Sequence, residues 1–299
     1  MYGAIIGDIV GSKYEFNPIK SKEFPFVSRG CEFTDDTVMT IAVAKALLET
    51  REAVSGAFAS FKEVLVREMQ SLGPRFPGAG YGARFASWLG SAHPRPYNSF
   101  GNGSAMRVSP CGLIAVSLEE ALELAQASAE VTHNHPEGVK GAQSVAACIY
   151  LAKTGCSKDE IRSYVEDGFY GPLPSVDDIR PDYSFDVTCQ GSVPESIACF
   201  LESDDYEDTV RNAVSLGGDA DTQAAIAGSI AWTYYRLGRG FYERADDFQS
   251  DARPGHVWPH SCERIVAGYQ IDAMLPPDFV EVIDKFDEQC AERAAKRQG

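Results

Sequence analysis

The spacing of apolar residues constrains the fold of this chain more than any other feature of its sequence. Apolar residues recur at intervals of three and four, and period-two alternation of useful length is hard to find. The clearest helical runs begin at Thr37, Ala53, Ser117, Val139, Val193 and Thr222. The pattern predicts an all-α fold.

Local signals mark the expected helix ends and loops. Ser117 and Ser157 each precede acidic residues, a pattern typical of N-caps, and Gly155 is a predicted C-cap. The Pro- and Gly-rich stretch 168–194 predicts a long loop, functional or disordered. The end of the chain, 285–299, is predicted to be a charged helix or tail.

Composition narrows the class of protein. The chain has 299 residues, of which 44% are hydrophobic and 23% charged, as expected for a globular protein with a sizeable core. The formal net charge of −16 repels polyanions at long range and argues against a general nucleic-acid binder. A small anionic nucleotide can still bind if its site supplies local positive potential.

Three features that the sequence lacks bear on the cellular compartment of the protein. The beginning of the sequence lacks a signal-peptide pattern, and no apolar run approaches the roughly 18 residues of a membrane span. The eight cysteines are scattered, without a C-x-x-C pair, which favours free thiols over disulfides or a zinc site. We therefore expect a cytoplasmic protein without a membrane partner.

Two short acidic segments lie directly ahead of predicted helices, the second after the pair Gly217 and Gly218. Their oxygen-bearing residues are Thr34, Asp35, Asp36, Asp219, Asp221 and Thr222. Helix capping explains either segment alone, because Thr and Asp accept first-turn N–H bonds and the helix dipole favours carboxylates.

Together, these segments offer more carboxylates than capping requires, and neither contains Lys or Arg. Hard oxygen ligands without His or Cys suit Mg²⁺ or Mn²⁺ and not zinc. If the two helix starts face each other, they could hold two ions a few ångströms apart. Spacing alone leaves the binuclear site and simple capping both open.

The N-terminal segment combines glycines at spacing four with two acids. Gly3, Gly7 and Gly11 favour close helix packing. Asp8 and Glu15 are acidic residues in an apolar, glycine-rich context, and Glu15 follows a Gly-Ser break where a side chain can enter a cavity. Glu15 is therefore a candidate functional residue, and this segment alone leaves its functional and structural interpretations equally open.

Two further loops carry candidate binding residues. The glycine-rich turn 99–104 could cradle an anion, although ordinary tight turns look the same. His133 and His135 have no third ligand spaced for zinc, which favours hydrogen bonding to a substrate or a loop. His256 and His260 are interpreted as residues that structure a loop.

Six segments, taken in order, resemble the ADP-ribosylglycohydrolase family. They read GDIVGSKYE, FTDDTVMT, GYGARF, SFGNGSAMRV, THNHPEGVKGA and LGGDADTQAAIAGSIA. The resemblance runs from about residue 3 to 235 and weakly to 269. It implies one all-α domain over residues 1–299, a compact orthogonal helical bundle with a binuclear metal site in a central cleft.

The resemblance also assigns roles by position. The ligands of two Mg²⁺ (or Mn²⁺) ions would be Thr34, Asp35, Asp36, Asp219, Asp221 and Thr222. Glu15 matches a glutamate that sits over the metals and, with Asp35, would be catalytic. The substrate-binding residues would be Ser99, Phe100, Gly101, Asn102, Gly103, Ser104 and His133, with 101–104 along the pyrophosphate and Phe100 near the adenine-end ribose.

One departure bears on the acceptor. The arginine-directed bacterial branch has an aspartate in a D-I-G segment before the GNGS turn, whereas residues 80–83 here read GYGA. This stretch is more similar to the branch that cleaves ADP-ribose from serine or other O-linked acceptors. Gln223 stands where an apolar residue is common in the family.

The implied reaction is hydrolysis of a glycosidic bond, with an ADP-ribosylated protein or small molecule as substrate and ADP-ribose as product. A water oriented or deprotonated by Glu15 or Asp35 would attack the anomeric carbon through an oxocarbenium-like transition state. The alternatives are an arginine-directed hydrolase, a nucleotide pyrophosphatase that would yield AMP, and a non-catalytic ADP-ribose binder.

Overall fold

The computed structural model describes residues 1–50, 58–237 and 261–298. The α-helices are α1 Tyr2–Ser12, α2 Asp35–Glu49, α3 Phe58–Leu72, α4 Ala83–Leu89, α5 Gly103–Met106, α6 Ser109–Ile114, α7 Leu118–Glu130, α8 Pro136–Lys153, α9 Lys158–Val165, α10 Val176–Ile179, α11 Cys189–Leu201, α12 Tyr206–Ser215, α13 Ala220–Leu237, α14 Ser261–Gly268 and α15 Pro277–Gln298. Short 3₁₀ segments span Gly73–Arg75 and Ile271–Met274, and a π-turn spans Glu166–Tyr170.

The prediction of an all-α fold is confirmed. Within the described ranges there is no β-strand, only an isolated bridge between Gly101 and Thr188. Helix α8 contacts α5, α6, α7, α11 and α13, and the apolar core is continuous through these helices. None of the described helices is both long enough and apolar enough to cross a lipid bilayer.

The predicted helix ends agree with the observed ones. The Ser117 hydroxyl accepts a hydrogen bond from the N–H of Glu120 at 3.0 Å, and Ser157 forms a reciprocal capping box with Glu160. Gly155 follows α8 with a φ of +87°, the left-handed conformation that favours glycine after a helix. The helix predicted from Ala53 is described only from Phe58, and His256 and His260 also lie outside the described residues.

Helices α1 and α13 pack backbone to backbone. A Cβ on Gly7 would lie 2.1 Å from the carbonyl oxygen of Ala224, and one on Gly11 would lie 2.3 Å from that of Ala220. A Cβ on Gly3 would lie 2.3 Å from the Cβ of Trp232. The glycine spacing read from the sequence therefore does serve close packing, and it places the end of α1 against the start of α13.

The long loop predicted over 168–194 is shorter in the structure, and this part of the prediction is wrong. The chain forms the π-turn and α10 within it, and α11 begins at Cys189 with Pro194 inside the helix. The Thr188 hydroxyl caps α11 by accepting a hydrogen bond from the N–H of Gly191 at 3.1 Å. Pro194 is the sixth residue of α11, beyond the first turn where proline is normally tolerated, so its presence in a helix goes against the local sequence pattern.

Helix α15 covers the outer side of the bundle. It packs on α2 and α6, and Phe279, Ile283 and Phe286 on its inner side are fully buried. The charged stretch at the end of the sequence therefore continues a helix whose other side is apolar. Its position supports α2, the helix that begins with the first acidic segment.

Candidate active site

A cavity of about 420 Å³ opens where α2, α5 and α13 begin. This volume falls in the range of small-molecule sites. Among the residues predicted from the sequence, its lining includes Glu15, Asp35, Asp36, Ser99, Gly101, Asn102, Gly103, His133, Asp219, Asp221 and Thr222. The structure therefore brings together segments from both ends of the chain, and the predicted residues outside the lining are Thr34, Phe100 and Ser104.

Asp8 anchors the first acidic segment. This fully buried carboxylate on α1 accepts hydrogen bonds from the N–H and hydroxyl of Thr34 at 2.9 and 2.7 Å. It also accepts from the N–H of Thr37 at 3.0 Å and from the Thr37 hydroxyl. Asp8 thus orients the start of α2, so that Asp35 and Asp36 face the cavity.

Asp8 was not predicted as a site residue. The available signal was a carboxylate directly after Gly7, on the helix whose glycines indicated burial. A buried carboxylate needs several donors or a cation, so an acid next to a packing stripe points to a structural or ligand role.

The second acidic segment follows a tight turn. Gly217 has a φ of +65°, which most residues with a Cβ avoid, and the Lys20 ammonium donates to the carbonyl oxygen of the preceding Leu216 at 2.5 Å. The turn brings Asp219 and Asp221 to the start of α13. The left-handed conformation of Gly217 gives this segment a sharp backbone entry into the helix.

Gln223, the unusual residue after the second segment, is fully buried. Its amide donates to the Tyr183 hydroxyl at 3.1 Å, and that hydroxyl donates to the carbonyl oxygen of Gly191 at 2.6 Å. A Cβ on Gly218 would lie 2.4 Å from the Tyr183 ring, which requires glycine there. Gln223 therefore ties the second acidic segment, through Tyr183, to the first turn of α11.

The two acidic segments meet. One oxygen from each of Asp8, Asp36 and Asp221 lies within 4.8 Å of the others, and so does one from each of Glu15, Asp219 and Asp221. The Thr222 hydroxyl donates to Asp36 at 3.1 Å across the contact. Asp221 belongs to both groups, an arrangement that could hold two neighbouring metal ions.

The carboxylates fit divalent cations. Asp36 Oδ1 is buried without a hydrogen-bond partner, so this acceptor has nothing in the described structure to replace water. Carboxylate and hydroxyl oxygens are the ligands of Mg²⁺ and Mn²⁺. Asp35 lines the cavity but is outside both three-residue groups, whereas Asp8, which was not predicted, belongs to one.

Burial and mutual repulsion weaken the acidity of the cluster. Burial raises the pKa of Glu15 to about 8, and the charges of Asp221 and Asp8 add to the effect. Burial and Asp221 raise the pKa of Asp8 to about 7, against the opposing hydrogen bonds from Thr37 and Thr34. Burial and neighbouring carboxylates also raise the pKa values of Asp35, Asp36 and Asp219, and burial raises that of Asp221.

The glycine-rich turn lies beside the second acidic segment. The Asn102 amide donates to Asp219 at 2.7 Å. The N–H groups of Gly101 and Asn102 already donate within the protein, to the Ser99 hydroxyl at 3.2 Å and to the carbonyl oxygen of Val187 at 2.8 Å. The N–H groups of Gly103 and Ser104 lie at the start of α5, where no earlier helical turn supplies a carbonyl oxygen to accept them. These two N–H groups are therefore the donors of the turn that remain available.

Three predicted residues take other positions. The Thr34 hydroxyl is bonded to Asp8, and the Ser104 hydroxyl donates to the carbonyl oxygen of Gly138 at 2.7 Å. Phe100 is 44% exposed, and its ring meets the edge of His135 at a centroid distance of 5.4 Å. Phe100 lies between Ser99 and Gly101, which both line the cavity, and its own ring is exposed outside that lining.

Two arginines line the cavity, and sequence reasoning missed both. Arg84 donates to the carbonyl oxygen of Tyr97 at 3.0 Å and lies 4.9 Å from the Tyr97 ring. Arg107 is buried, at 1% exposure, and burial lowers the pKa of its guanidinium to about 10. They supply local positive charge in a strongly acidic protein. The motif SAMR marked Arg107 only as the end of a helix-entering turn.

Fold and site define a class of protein: an all-helical enzyme whose cavity combines converging carboxylates with arginines and a glycine-rich turn. The family model for ADP-ribosylglycohydrolase matches residues 1–238. The chain belongs to the ADP-ribosylglycohydrolase family. It is an enzyme of the class that hydrolyses ADP-ribose glycosidic linkages.

Relatives with different named activities show the same sequence identity to the chain, over different shares of their length. It is 27% identical to human ADP-ribosylhydrolase ARH3, over 95% of this chain and 92% of that one. It is also 27% identical to the ADP-ribosylarginine hydrolase Tri1 of Pseudomonas putida, over 79% and 69%. A solved structure titled "ADP-ribosylglycohydrolase-related protein complex" shares the fold, with a TM-score of 0.59, 24% identity and coverage of 82% and 89%.

Proposed function

We propose that this enzyme cleaves the bond between ADP-ribose and an O-linked acceptor, a serine side chain or another oxygen, and uses two Mg²⁺ or Mn²⁺ ions. The observation that carries the proposal is the meeting of the two acidic segments in one cavity, with Asp221 common to both carboxylate groups. Capping alone would not require these segments to face each other.

The chain's own residues account for the metal sites. Asp8, Asp36 and Asp221 would hold one cation, and Glu15, Asp219 and Asp221 the other. Bound cations would fix the ribose 2- and 3-hydroxyls and offset the charge of the carboxylates.

Glu15 is the proposed general base. It is half-buried in the cavity lining, where its carboxylate could accept a proton from a neighbouring water. It would orient the attacking water and take its proton. Asp35, partly exposed to the cavity, would stabilise the positive charge that develops at the anomeric carbon.

The diphosphate would lie along residues 101–104. Two N–H groups at the start of α5 and the guanidinium groups of Arg84 and Arg107 provide donors and positive potential there. His133 faces the same turn, and Phe100 offers an exposed ring at the rim for the adenine-end ribose and base.

The acceptor is inferred from the wall formed by residues 80–83. Gly80, Gly82 and Ala83 line the cavity, so this segment presents no carboxylate where the arginine-directed branch has an aspartate. Without that acid the wall lacks a partner for a guanidinium acceptor, which favours an uncharged oxygen linkage. The match to Tri1 keeps an arginine linkage as the second candidate.

Two further proposals concern the whole chain. We place the enzyme in the cytoplasm, since the cysteines whose side chains are described are all free. We treat residues 1–299 as one domain, because α15 packs directly on α2.

The decisive experiment compares serine-linked and arginine-linked ADP-ribosyl peptides of otherwise identical sequence, with Mg²⁺ and with a chelator. We expect intact ADP-ribose from the serine-linked peptide, lost on chelation. Preferential release from the arginine-linked peptide would overturn the acceptor assignment, and turnover that survives complete chelation would refute the metal role. Release of AMP would identify a pyrophosphatase.

A further inference from the structure

A buried chain of polar groups reaches the cavity wall, outside the acidic cluster. It consists of Arg107 at the end of α5, Thr132 after α7 and the adjacent His133. These side chains are 1%, 0% and 6% exposed, so water is largely excluded from the hydrogen bonds between them.

The direction of each hydrogen bond follows from the groups involved. Arg107 Nη2 donates to the carbonyl oxygen of Ser128 at 2.8 Å and to the Thr132 hydroxyl oxygen at 2.9 Å. A guanidinium has no acceptor, so the Thr132 oxygen must accept there. The hydroxyl's single hydrogen is then free for its other neighbour, His133 Nδ1, at 2.7 Å.

We propose that Arg107 and Thr132 are positioning residues that hold His133 in the tautomer carrying its hydrogen on Nε2, where it serves as a donor to the ligand in the cavity. In the opposite tautomer, Nδ1–H would donate to Thr132. The Thr132 hydrogen would then have no acceptor among its described contacts, and a buried unsatisfied donor is disfavoured.

The other ring nitrogen points at open space beside the turn. A Cβ on Gly103 would lie 3.2 Å from His133 Nε2, and one on Gly101 would lie 3.5 Å away. The two glycines thus leave room for a ligand oxygen within reach of the Nε2 hydrogen. This step rests on the proposed function, which places the diphosphate along the same turn.

The surroundings also keep the ring neutral. Burial, followed by the charge of Arg107, lowers the pKa of His133 well below its ordinary value. A neutral imidazole has one donor and one acceptor nitrogen, so holding Nδ1 as the acceptor leaves Nε2 as the only donor.

The tautomer can be measured without substrate. Histidine ¹⁵N NMR of the ligand-free enzyme separates protonated from unprotonated ring nitrogens, and the His133→Asn variant identifies the His133 signals by their loss. We expect an unprotonated Nδ1 and a protonated Nε2. A wild-type spectrum with the hydrogen on Nδ1 would overturn the proposal.

A second measurement links the tautomer to binding. Thr132→Val removes the hydroxyl, so we expect both tautomers to appear and the Kd for ADP-ribose, from calorimetry, to rise about tenfold. Thr132→Ser should retain the wild-type spectrum and Kd. Thr233→Val is the matched control, because it removes a buried hydroxyl that donates to Ser229 and does not line the cavity.

The outcomes separate this inference from the proposed function. An unchanged spectrum in Thr132→Val would refute the positioning role, and a changed spectrum with an unchanged Kd would refute donation to the ligand. If the wild type shows the expected tautomer but binds no ADP-ribose, the proposed function fails, and the tautomer assignment stands on the spectrum alone.

Discussion

At the scale of single residues, the site depends on carboxylates that would repel one another without a counter-charge. Asp219 combines two roles, because it accepts a hydrogen bond from Asn102 and lies in a carboxylate group with Glu15 and Asp221. It links the turn along the proposed diphosphate site to the acids around the proposed ribose site.

We expect Asp219→Ala to lower kcat/KM by about 10²–10³-fold or more, because it removes one of the three carboxylates proposed to hold a cation beside the ribose. ADP-ribose affinity should fall as well, since the Asn102 amide loses its acceptor. Steady-state kinetics and calorimetry with Mg²⁺ provide the measurements. Wild-type kcat/KM in this variant would remove Asp219 from the site.

A different effect is expected for Asp8, because this carboxylate accepts hydrogen bonds from backbone N–H groups at the start of α2. In Asp8→Asn, an amide NH₂ would face the N–H and hydroxyl donors of Thr34 and Thr37, and buried donors would lose their acceptor. We expect the free energy of unfolding in urea to fall by about 3 kcal/mol, together with a loss of activity.

The matched control for Asp8 is the exposed Asp204, where the same substitution should change stability by less than about 0.5 kcal/mol. An Asp8→Asn enzyme as stable as the wild type would show that the cluster of hydrogen bonds around Asp8 does not hold the start of α2.

The sequence predicted the residues that come in clusters and missed those that stand alone. Asp35, Asp36, Asp219 and Asp221 were identified because adjacent acids exceed what capping needs. Asp8 and Arg107 were missed, since a single charged residue reveals its role only when burial and partners are known. Those partners are remote in sequence: Asp8 receives hydrogen bonds from residues 34 and 37, and Arg107 donates to residues 128 and 132.

At the scale of elements, the α1–α13 contact sets the geometry of the site. Gly7 immediately precedes Asp8, and Gly11 packs on the first turn of α13, which carries Asp221. Any separation of these helices would move Asp8 away from Asp221 and open the carboxylate group that they share with Asp36.

Gly7→Ala tests this contact, because its Cβ would lie 2.1 Å from the carbonyl oxygen of Ala224. Backbone cannot move aside as a flexible side chain can, so we expect a loss of about 3 kcal/mol or more in urea denaturation and weaker Mg²⁺ binding. Gly268→Ala in α14 is the control. Its Cβ would meet nothing within 4 Å, and stability should be unchanged or slightly higher. Equal stabilities of the two variants would contradict the close packing.

Helix existence was predictable from apolar spacing, and the ends were predictable where a cap was present, as at Ser117 and Ser157. The start of α11 was not, because Pro194 and the glycines ahead of it are typical of a loop. Tertiary contacts decide that region: the N–H of Cys189 donates to the carbonyl oxygen of Phe100 at 2.9 Å, and Gly101 pairs with Thr188. No local pattern reports a partner so far away in the chain.

At the scale of the whole molecule, the acids link stability to pH and to cations. Their folded-state pKa values lie above the unfolded ones, so the cation-free native state binds more protons than the unfolded chain between about pH 4 and 8. Stability should therefore fall as pH rises through this range. The lowered pKa of His133 has the opposite effect: below its unfolded pKa of about 6.5, this residue makes stability rise with pH. The several carboxyl groups outweigh this single histidine.

We expect Mg²⁺ to raise Tm by about 5 °C or more at pH 8, and by clearly less at pH 5.5, where protons compete for the same oxygens. Thermal unfolding with Mg²⁺ and with a chelator at both pH values measures the difference. Equal shifts at the two pH values would show that the stabilising cations bind elsewhere.

The glycine-lined contact has a consequence for how the chain is made. Helix α1 ends at residue 12 and its partner α13 begins at residue 220, so α1 is synthesised well before α13. At ordinary translation rates the first helix waits roughly 10–40 s for that partner. Throughout this delay the glycine-lined face of α1 lacks its native partner, so the nascent chain must keep this apolar face from other contacts long before its catalytic centre can form.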